Sequence, residues 1–238
     1  MSPELSVVLL CYKANQLVRS SVREICALLE KDVPDYELVL VANYDDASDT
    51  TPQIVKELAA HNPRIRYSAV PKQGMMGWDL RTGLNMARGM YVALIDGDGQ
   101  MPFEDIVRVY HAITEKNADM AKTYRTTRGD DAWRIIVSYL FNILFRILFP
   151  GLRAHDINSK PKIFSRRALD TLHLTSNDWF IDAEMMIQAR RYGFSIVEIA
   201  TVFKKLEGRR SFVKTNTIFE FLRNLAAYRL REFTMRHE

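Results

Sequence analysis

The sequence predicts an α/β protein: a Rossmann-like, mixed but mainly parallel sheet flanked by helices. Two observations carry this expectation. Over roughly the first hundred residues, short runs rich in Val, Ile and Leu alternate with longer segments whose apolar residues recur at helical spacing, the pattern of successive βαβ units. The polar and acidic residues then gather where the strand-like runs stop, and ligand sites in such sheets lie beyond the carboxyl ends of the strands. A length of 238 residues suits one α/β domain with a substantial core and would be cramped for two.

Each element has its own warrant. Leu5–Leu10 is an apolar strand-like run, and residues 16–31 set Leu17, Val22, Ile25, Leu28 and Leu29 on a helical stripe. Strands follow at 36–42, 65–70 and 90–95, separated by helical patterns at 51–60 and 78–87. The second half is less regular. Residues 102–116 read as a helix with Pro102 at its start, 118–123 as a strand, and 133–149 as a strongly apolar helix stopped by Phe149-Pro150-Gly151. An extended stretch at 156–164, a helix at 180–192, a strand at 194–203 and a basic terminal helix at 215–236 complete the chain. No internal repeat or low-complexity linker interrupts it.

Composition excludes several classes. Hydrophobic residues make up 47% and charged residues 26% of the chain, so disorder throughout is ruled out. The two cysteines, Cys11 and Cys26, sit in apolar surroundings and read as reduced core residues. No Cys/His cluster has zinc-ligand spacing, and no signal peptide is expected at the N-terminus. The net charge of +4 is segregated: 1–121 is acidic, while 122–167 and 201–238 are basic. A basic, aromatic-rich surface suits an anionic membrane or a phosphate-bearing acceptor, and nucleic acid is not the expected partner.

The chemistry gathers at Asp96-Gly97-Asp98-Gly99-Gln100. Two carboxylates one residue apart at the end of an apolar strand suit Mg²⁺ or Mn²⁺, hard cations that also take phosphate oxygens. The flanking glycines let backbone approach a ligand. Around this loop, Tyr12 follows the first strand, Asp45 and Asp46 lie after the second where a carboxylate can read a nucleobase or ribose, and Lys72 and Arg81 offer cations to a diphosphate.

These pieces together resemble family 2 glycosyltransferases of GT-A fold. The resemblance rests on LSVVLLCY at residues 5–12, the acidic loop after the second strand, and MYVALIDGDGQMPFEDI at 90–106. The spacing Asp96-x-Asp98-x-Gln100 is similar to the branch of dolichol-phosphate mannose synthase and bacterial polyprenyl-phosphate glycosyltransferases. That resemblance implies that Asp96, Asp98 and Gln100 handle the metal and a GDP- or UDP-sugar. Departures exist: Cys11-Tyr12-Lys13-Ala14 lacks the family's proline and carboxylate, and Asn43-Tyr44-Asp45-Asp46 leaves the base-reading aspartate open.

The second half is expected to choose the acceptor. By the same resemblance Arg125, Arg134 and Lys160 hold a lipid phosphate, and Arg209, Arg210 and Lys214 lie on a loop closing over the donor diphosphate. Phe180-Ile181-Asp182-Ala183-Glu184 looks like the family's acceptor-side carboxylate segment, with Asp182 or Glu184 as base if the acceptor is a hydroxyl. The helix at 133–149 is too short and carries too many arginines to cross a bilayer, so it either lies in the membrane interface or is buried against the sheet. The expected organisation is a GT-A domain over 1–214, with a nucleotide-sugar half (1–121) and an acceptor half (122–214), followed by a basic amphipathic helix (215–238). The expected function is metal-dependent, inverting sugar transfer to a polyprenyl phosphate at the cytoplasmic face of the membrane, with homo-oligomerisation allowed. Two rivals stand beside it: transfer to a saccharide hydroxyl, and a catalytically inactive nucleotide-binding relative.

Overall fold

The computed structural model describes residues 2–128, 132–152, 154–203 and 215–234. In chain order the elements are β1 (Leu5–Leu10), α1 (Leu17–Asp32), β2 (Tyr36–Val41), α2 (Thr51–His61), β3 (Ile65–Ser68), α3 (Met76–Met86), β4 (Tyr91–Asp96) and α4 (Glu104–Glu115). They continue with β5 (Met120–Arg128), α5 (Ala132–Leu148), β6 (Lys162–Ser165), α6 (Arg166–Thr171), α7 (Ile181–Arg191), β7 (Ile196–Phe203) and α8 (Thr215–Thr234). The strands form one sheet in the order β3-β2-β1-β4-β6-β5-β7. All neighbours pair in parallel except β6, which runs antiparallel to both β4 and β5. The carboxyl ends of every strand but β6 therefore share one edge, and the acidic loop lies on it.

Burial on both faces explains the continuous apolar runs. Along β1 and β2, Leu5, Val7, Leu9, Leu38 and Leu40 enter a core that also holds residues of α1, α2 and α4. Val8, Val39 and Val41 point the other way, into a core with residues of α3, α5, α7 and α8. Close packing leaves no room for change at Gly83 of α3, where a Cβ would lie 2.3 Å from Val8 Cγ1.

The apolar helix has two characters. Phe145 is buried and Phe149, just past its end, is too, while Tyr139, Ile143 and Ile147 are exposed at every fourth position. Among the described residues no helix is long and apolar enough to cross a membrane. The terminal helix begins at Thr215, and one of its faces is packed into the domain: Leu225 is buried and Phe221 meets Phe141 and Phe180 edge-on. The short helix α6 was not expected. Ser165 caps it by accepting from the Ala168 N–H at 3.3 Å, a local signal too brief for periodicity to show.

Candidate functional site

The acidic loop is built by backbone constraints at the end of β4. Gly97 N–H donates to Leu10 O at 2.8 Å, which ties the loop to the end of β1. A Cβ on Gly97 would lie 2.8 Å from that same carbonyl oxygen, so the close approach requires glycine. Gly99 has φ +73°, a left-handed conformation costly to other residues. The Asp98 carboxylate accepts from the Gln100 N–H at 3.0 Å, which closes the turn.

Register explains what faces Asp96. Leu94 of β4 pairs with Lys162 of the antiparallel β6, and continuing that register places Lys160 opposite Asp96. The Lys160 ammonium lies 3.1 Å from both Asp96 oxygens and 3.2 Å from Asp182 Oδ2 on α7. Lys162, two residues on and so on the same face, pairs with the other Asp182 oxygen. The next strand repeats the device: Lys122 of β5 is the cross-strand neighbour of Lys162 and bonds Glu198 of β7 at 3.0 Å. Lys122, Lys160, Lys162 and Asp182 are all buried. A row of alternating charge thus crosses from β4 to β7 beneath α5 and α7.

The electrostatics follow from burial and pairing. Burial alone would push the Asp182 carboxyl up, but Lys160 and Lys162 hold it below the usual carboxylate range. Burial would depress the Lys160 ammonium, and Asp182 with Asp96 outweighs that and raises it. Lys162 has only Asp182 in compensation, with Lys160 and Lys122 opposing, and is depressed to about 8.

A second cluster occupies the ends of β1 to β3. Asp45 accepts from Tyr12 Oη at 2.7 Å and lies 3.0 Å from Lys13 Nζ. Those two hydrogen bonds lower its pKa. Lys13 and Asn15 both have positive φ, a strained turn of the kind that gathers at functional sites. Asp46 instead accepts from the Ser48 N–H and Oγ, at 2.9 and 2.8 Å, and so shapes its own loop. Of the pair, Asp45 is the one joined to Tyr12.

Several of the expected residues have protein partners of their own. Lys72 pairs with the buried Asp79 of α3 and sits 4.3 Å from the Tyr12 ring centroid, so it braces Tyr12 instead of standing open to a diphosphate. Arg81 reaches across to Thr175 O (3.1 Å) and Asn177 Oδ1 (2.7 Å) and fastens α3 to the loop before α7. Lys160 is enclosed by Asp96 and Asp182, which removes it from the acceptor-phosphate set. Arg125 is gripped by Asp156, Nε at 2.6 Å and Nη2 at 2.9 Å. Glu184 is buried and accepts from the N–H groups of Thr175 and Ser176, both at 2.9 Å, and from Tyr228 of α8. It organises that loop, and neither it nor the doubly paired Asp182 is placed to take a proton from an acceptor. Arg209, Arg210 and Lys214 lie outside the described residues, as does the Arg134 side chain. The sequence reading missed Lys162, Lys122 and Glu198. Their only advance signal was charge inside otherwise apolar strands.

The oxygen donors of Asp96, Asp98 and Gln100 fit Mg²⁺ or Mn²⁺ in kind. Among the described residues no group of three or more His, Cys, Asp and Glu forms an all-protein metal site. The rest of a metal's shell must come from phosphate and water, the usual arrangement for a cation arriving with a diphosphate.

Comparison with known proteins agrees with this geometry. The model of the family "Glycosyl transferase family 2" matches residues 6–173. The glycosyltransferase AglD of Haloferax volcanii is 29% identical over 202 residues, covering 82% of this chain and 32% of that protein. A dolichyl-phosphate β-glucosyltransferase of Dictyostelium discoideum is 26% identical, covering 74% and 57%. The polyprenol monophosphomannose synthase of Mycolicibacterium smegmatis is 26% identical, covering 79% and 74%. The chain thus spans only a third to a little over half of the first two relatives. Among solved structures, glucosyl-3-phosphoglycerate synthase from Mycobacterium tuberculosis with UDP superposes with a TM-score of 0.70 at 20% identity, covering 96% of this chain and 79% of that one. A mannosyltransferase from Pyrobaculum calidifontis with GDP-Man and Mn²⁺ gives 0.60 at 16%, covering 87% and 59%. The sheet order, the acidic loop at its carboxyl edge and the match over residues 6–173 together make this chain a member of glycosyl transferase family 2, with the GT-A fold.

Proposed function

We propose that the chain transfers a hexose-type sugar, with inversion, from a GDP- or UDP-sugar to a polyprenyl phosphate at the cytoplasmic face of a membrane. One observation carries the choice of acceptor. Both carboxylates of α7 are committed, Asp182 to two ammoniums and Glu184 to backbone N–H groups. A hydroxyl acceptor needs a base, whereas a phosphate monoester is already ionised at neutral pH and needs only to be held in line. The relatives named for dolichyl and polyprenol phosphates support the same reading.

In this reading Tyr12 and Asp45 hold the nucleoside end, with Asp46 shaping their loop. Asp96, Asp98 and Gln100 face the diphosphate, and Arg209, Arg210 and Lys214, outside the described residues, are the further candidates to bind it. Mg²⁺ or Mn²⁺ bound there supplies neutralisation of the charge developing on the leaving diphosphate. Lys160 holds Asp96 in a fixed rotamer, so the carboxylate is oriented before the donor arrives. Arg125 and Arg134 belong to the acceptor half and are the candidates for the lipid phosphate. The exposed row Tyr139, Ile143 and Ile147 on α5 suits a peripheral seat in the bilayer interface.

The test is direct. Purified protein is incubated with radiolabelled UDP- and GDP-hexoses, Mg²⁺ or Mn²⁺, and a polyprenyl phosphate, and label is followed into the organic phase. Metal-dependent lipid label is expected. Label found only in a water-soluble saccharide would sink the lipid-phosphate acceptor, and no turnover of any nucleotide sugar would sink the enzyme.

A further inference from the structure

The row of alternating charge ends on a side chain that the reaction described above does not use. His155 is 69% exposed, yet its ring is fixed from three sides. Its Nδ1 lies 2.7 Å from Glu198 Oε2, and its backbone N–H donates to the same carboxylate at 3.0 and 3.1 Å. Its ring stacks on Tyr124 with centroids 4.8 Å apart. Exposed side chains ordinarily keep their rotamer freedom, because holding one still costs entropy. Here a buried Lys122 fixes Glu198, and Glu198 fixes the imidazole.

The chemistry of that fixation is specific. A carboxylate only accepts, so the proton lies on Nδ1 and Nε2 is turned away from Glu198. Beside it, Arg146 in the last turn of α5 is exposed and donates to Ala154 O at 3.1 Å and His155 O at 3.4 Å. Those carbonyls are the contacts that hold Arg146 among the described residues. Its neighbours on the same helix, Ile143 and Ile147, are exposed apolar side chains. An anchored imidazole, a guanidinium and an apolar row therefore meet at one place.

The position is right for the acceptor. Continuing the pairing of Lys122 with Lys162 sets Tyr124 level with Lys160 and so with Asp96. Two strand spacings separate them, about 10 Å, which leaves room for a sugar between a diphosphate at Asp96 and a phosphate at His155.

We infer that His155 and Arg146 bind the phosphate of a prenyl phosphate acceptor whose chain lies along Ile143 and Ile147. The imidazole held on Glu198 turns its free edge to the phosphate, and the Arg146 guanidinium adds the second arm of the clamp. This assignment rests on the acceptor class proposed above and adds the residues that select it.

The test uses the full chain and farnesyl phosphate in detergent, with His155→Ala, His155→Gln and Arg146→Ala. Both positions are exposed, and a thermal melt confirms folding. His155→Ala and Arg146→Ala are each expected to raise the farnesyl phosphate KM about tenfold or more, with the donor KM unchanged. His155→Gln, which retains an N–H donor, is expected to recover part of the loss. Inorganic phosphate should compete with farnesyl phosphate in the wild type and lose that competition in the alanine variants, while farnesol should not distinguish them. Wild-type KM values in both alanine variants would overturn the assignment while leaving the acceptor class standing. Transfer by the wild type to a saccharide hydroxyl alone would overturn the acceptor class and this assignment together.

Discussion

The two halves of the sheet hold themselves together by different means. From β3 to β4 the strands are parallel, largely apolar and closed by helices, with one buried polar pair, Ser6 and Glu37, near the amino ends. From β6 to β7 the sheet interior carries Lys122, Lys160 and Lys162, neutralised by Asp96, Asp182 and Glu198. An apolar strand tolerates changes of similar volume at small cost. A buried ion row tolerates none that leave a charge unmatched. In the proposed function the first half would seat the nucleotide, and the second would place polar groups toward the reacting centre.

The sharpest way to break that contrast is Asp182→Asn. It leaves two ammoniums in the interior with one partner removed, and a loss of roughly 3–5 kcal/mol is expected, read as a chemical-denaturation midpoint. A fall below about 1 kcal/mol would show that water reaches the row. The acid side of the stability curve gives a second reading. Asp182 titrates below its ordinary value in the folded protein, so its contribution is fully present above about pH 4 and drains as pH falls through the folded value. Melting temperatures of Asp182→Asn should therefore converge on those of the wild type below about pH 4.

Asp98→Asn tests the donor edge. Turnover is expected to fall about 10²–10³-fold, the cost of losing one preorganised group at a developing charge, with the melting temperature unchanged. An equal drop in stability would mean that the loop carries fold as well as chemistry. Glu184→Gln should cost about 1–3 kcal/mol through its backbone donors and leave the pH dependence of kcat/KM unaltered. Loss of the acidic limb there would restore Glu184 as a base. Smallest is Arg19→Ala, which breaks the half-exposed pair with Glu57 and should move stability by no more than about 1 kcal/mol.

What was legible follows the same division. Helical spacing and alternating apolar runs marked the elements up to β4, and the position of Asp96 and Asp98 at a strand end marked the site, because those signals are local. Lys160 read as a phosphate-binding cation and Lys162 and Lys122 went unread, since a lysine in a strand carries no sign of which face it enters. Their partners lie on other elements: Asp182 is 20 positions beyond Lys162, and Glu198 is 76 beyond Lys122. The parallel pairing of β5 with β7 joins Lys122 to Glu198, and the seat of α7 over β6 joins Lys162 to Asp182. Glu184 looked catalytic for a similar reason: its spacing from Asp182 was visible, while the Thr175 and Ser176 N–H groups it satisfies were not.

The antiparallel pairing of β6 has a consequence for how the chain finds its native state. Side chains alternate strictly along a strand, so a slip of one residue would turn Lys160 and Lys162 toward the opposite face. There they would meet Ile95, Ala121 and the apolar cluster under α4, away from Asp96 and Asp182. Ile163 would leave hydrocarbon for the place of a charge. The misaligned sheet is penalised twice, once for each stranded ammonium. The same lysines that prepare the site thus act as a proofreading mark, making the correct alignment the only one in which every buried charge is answered.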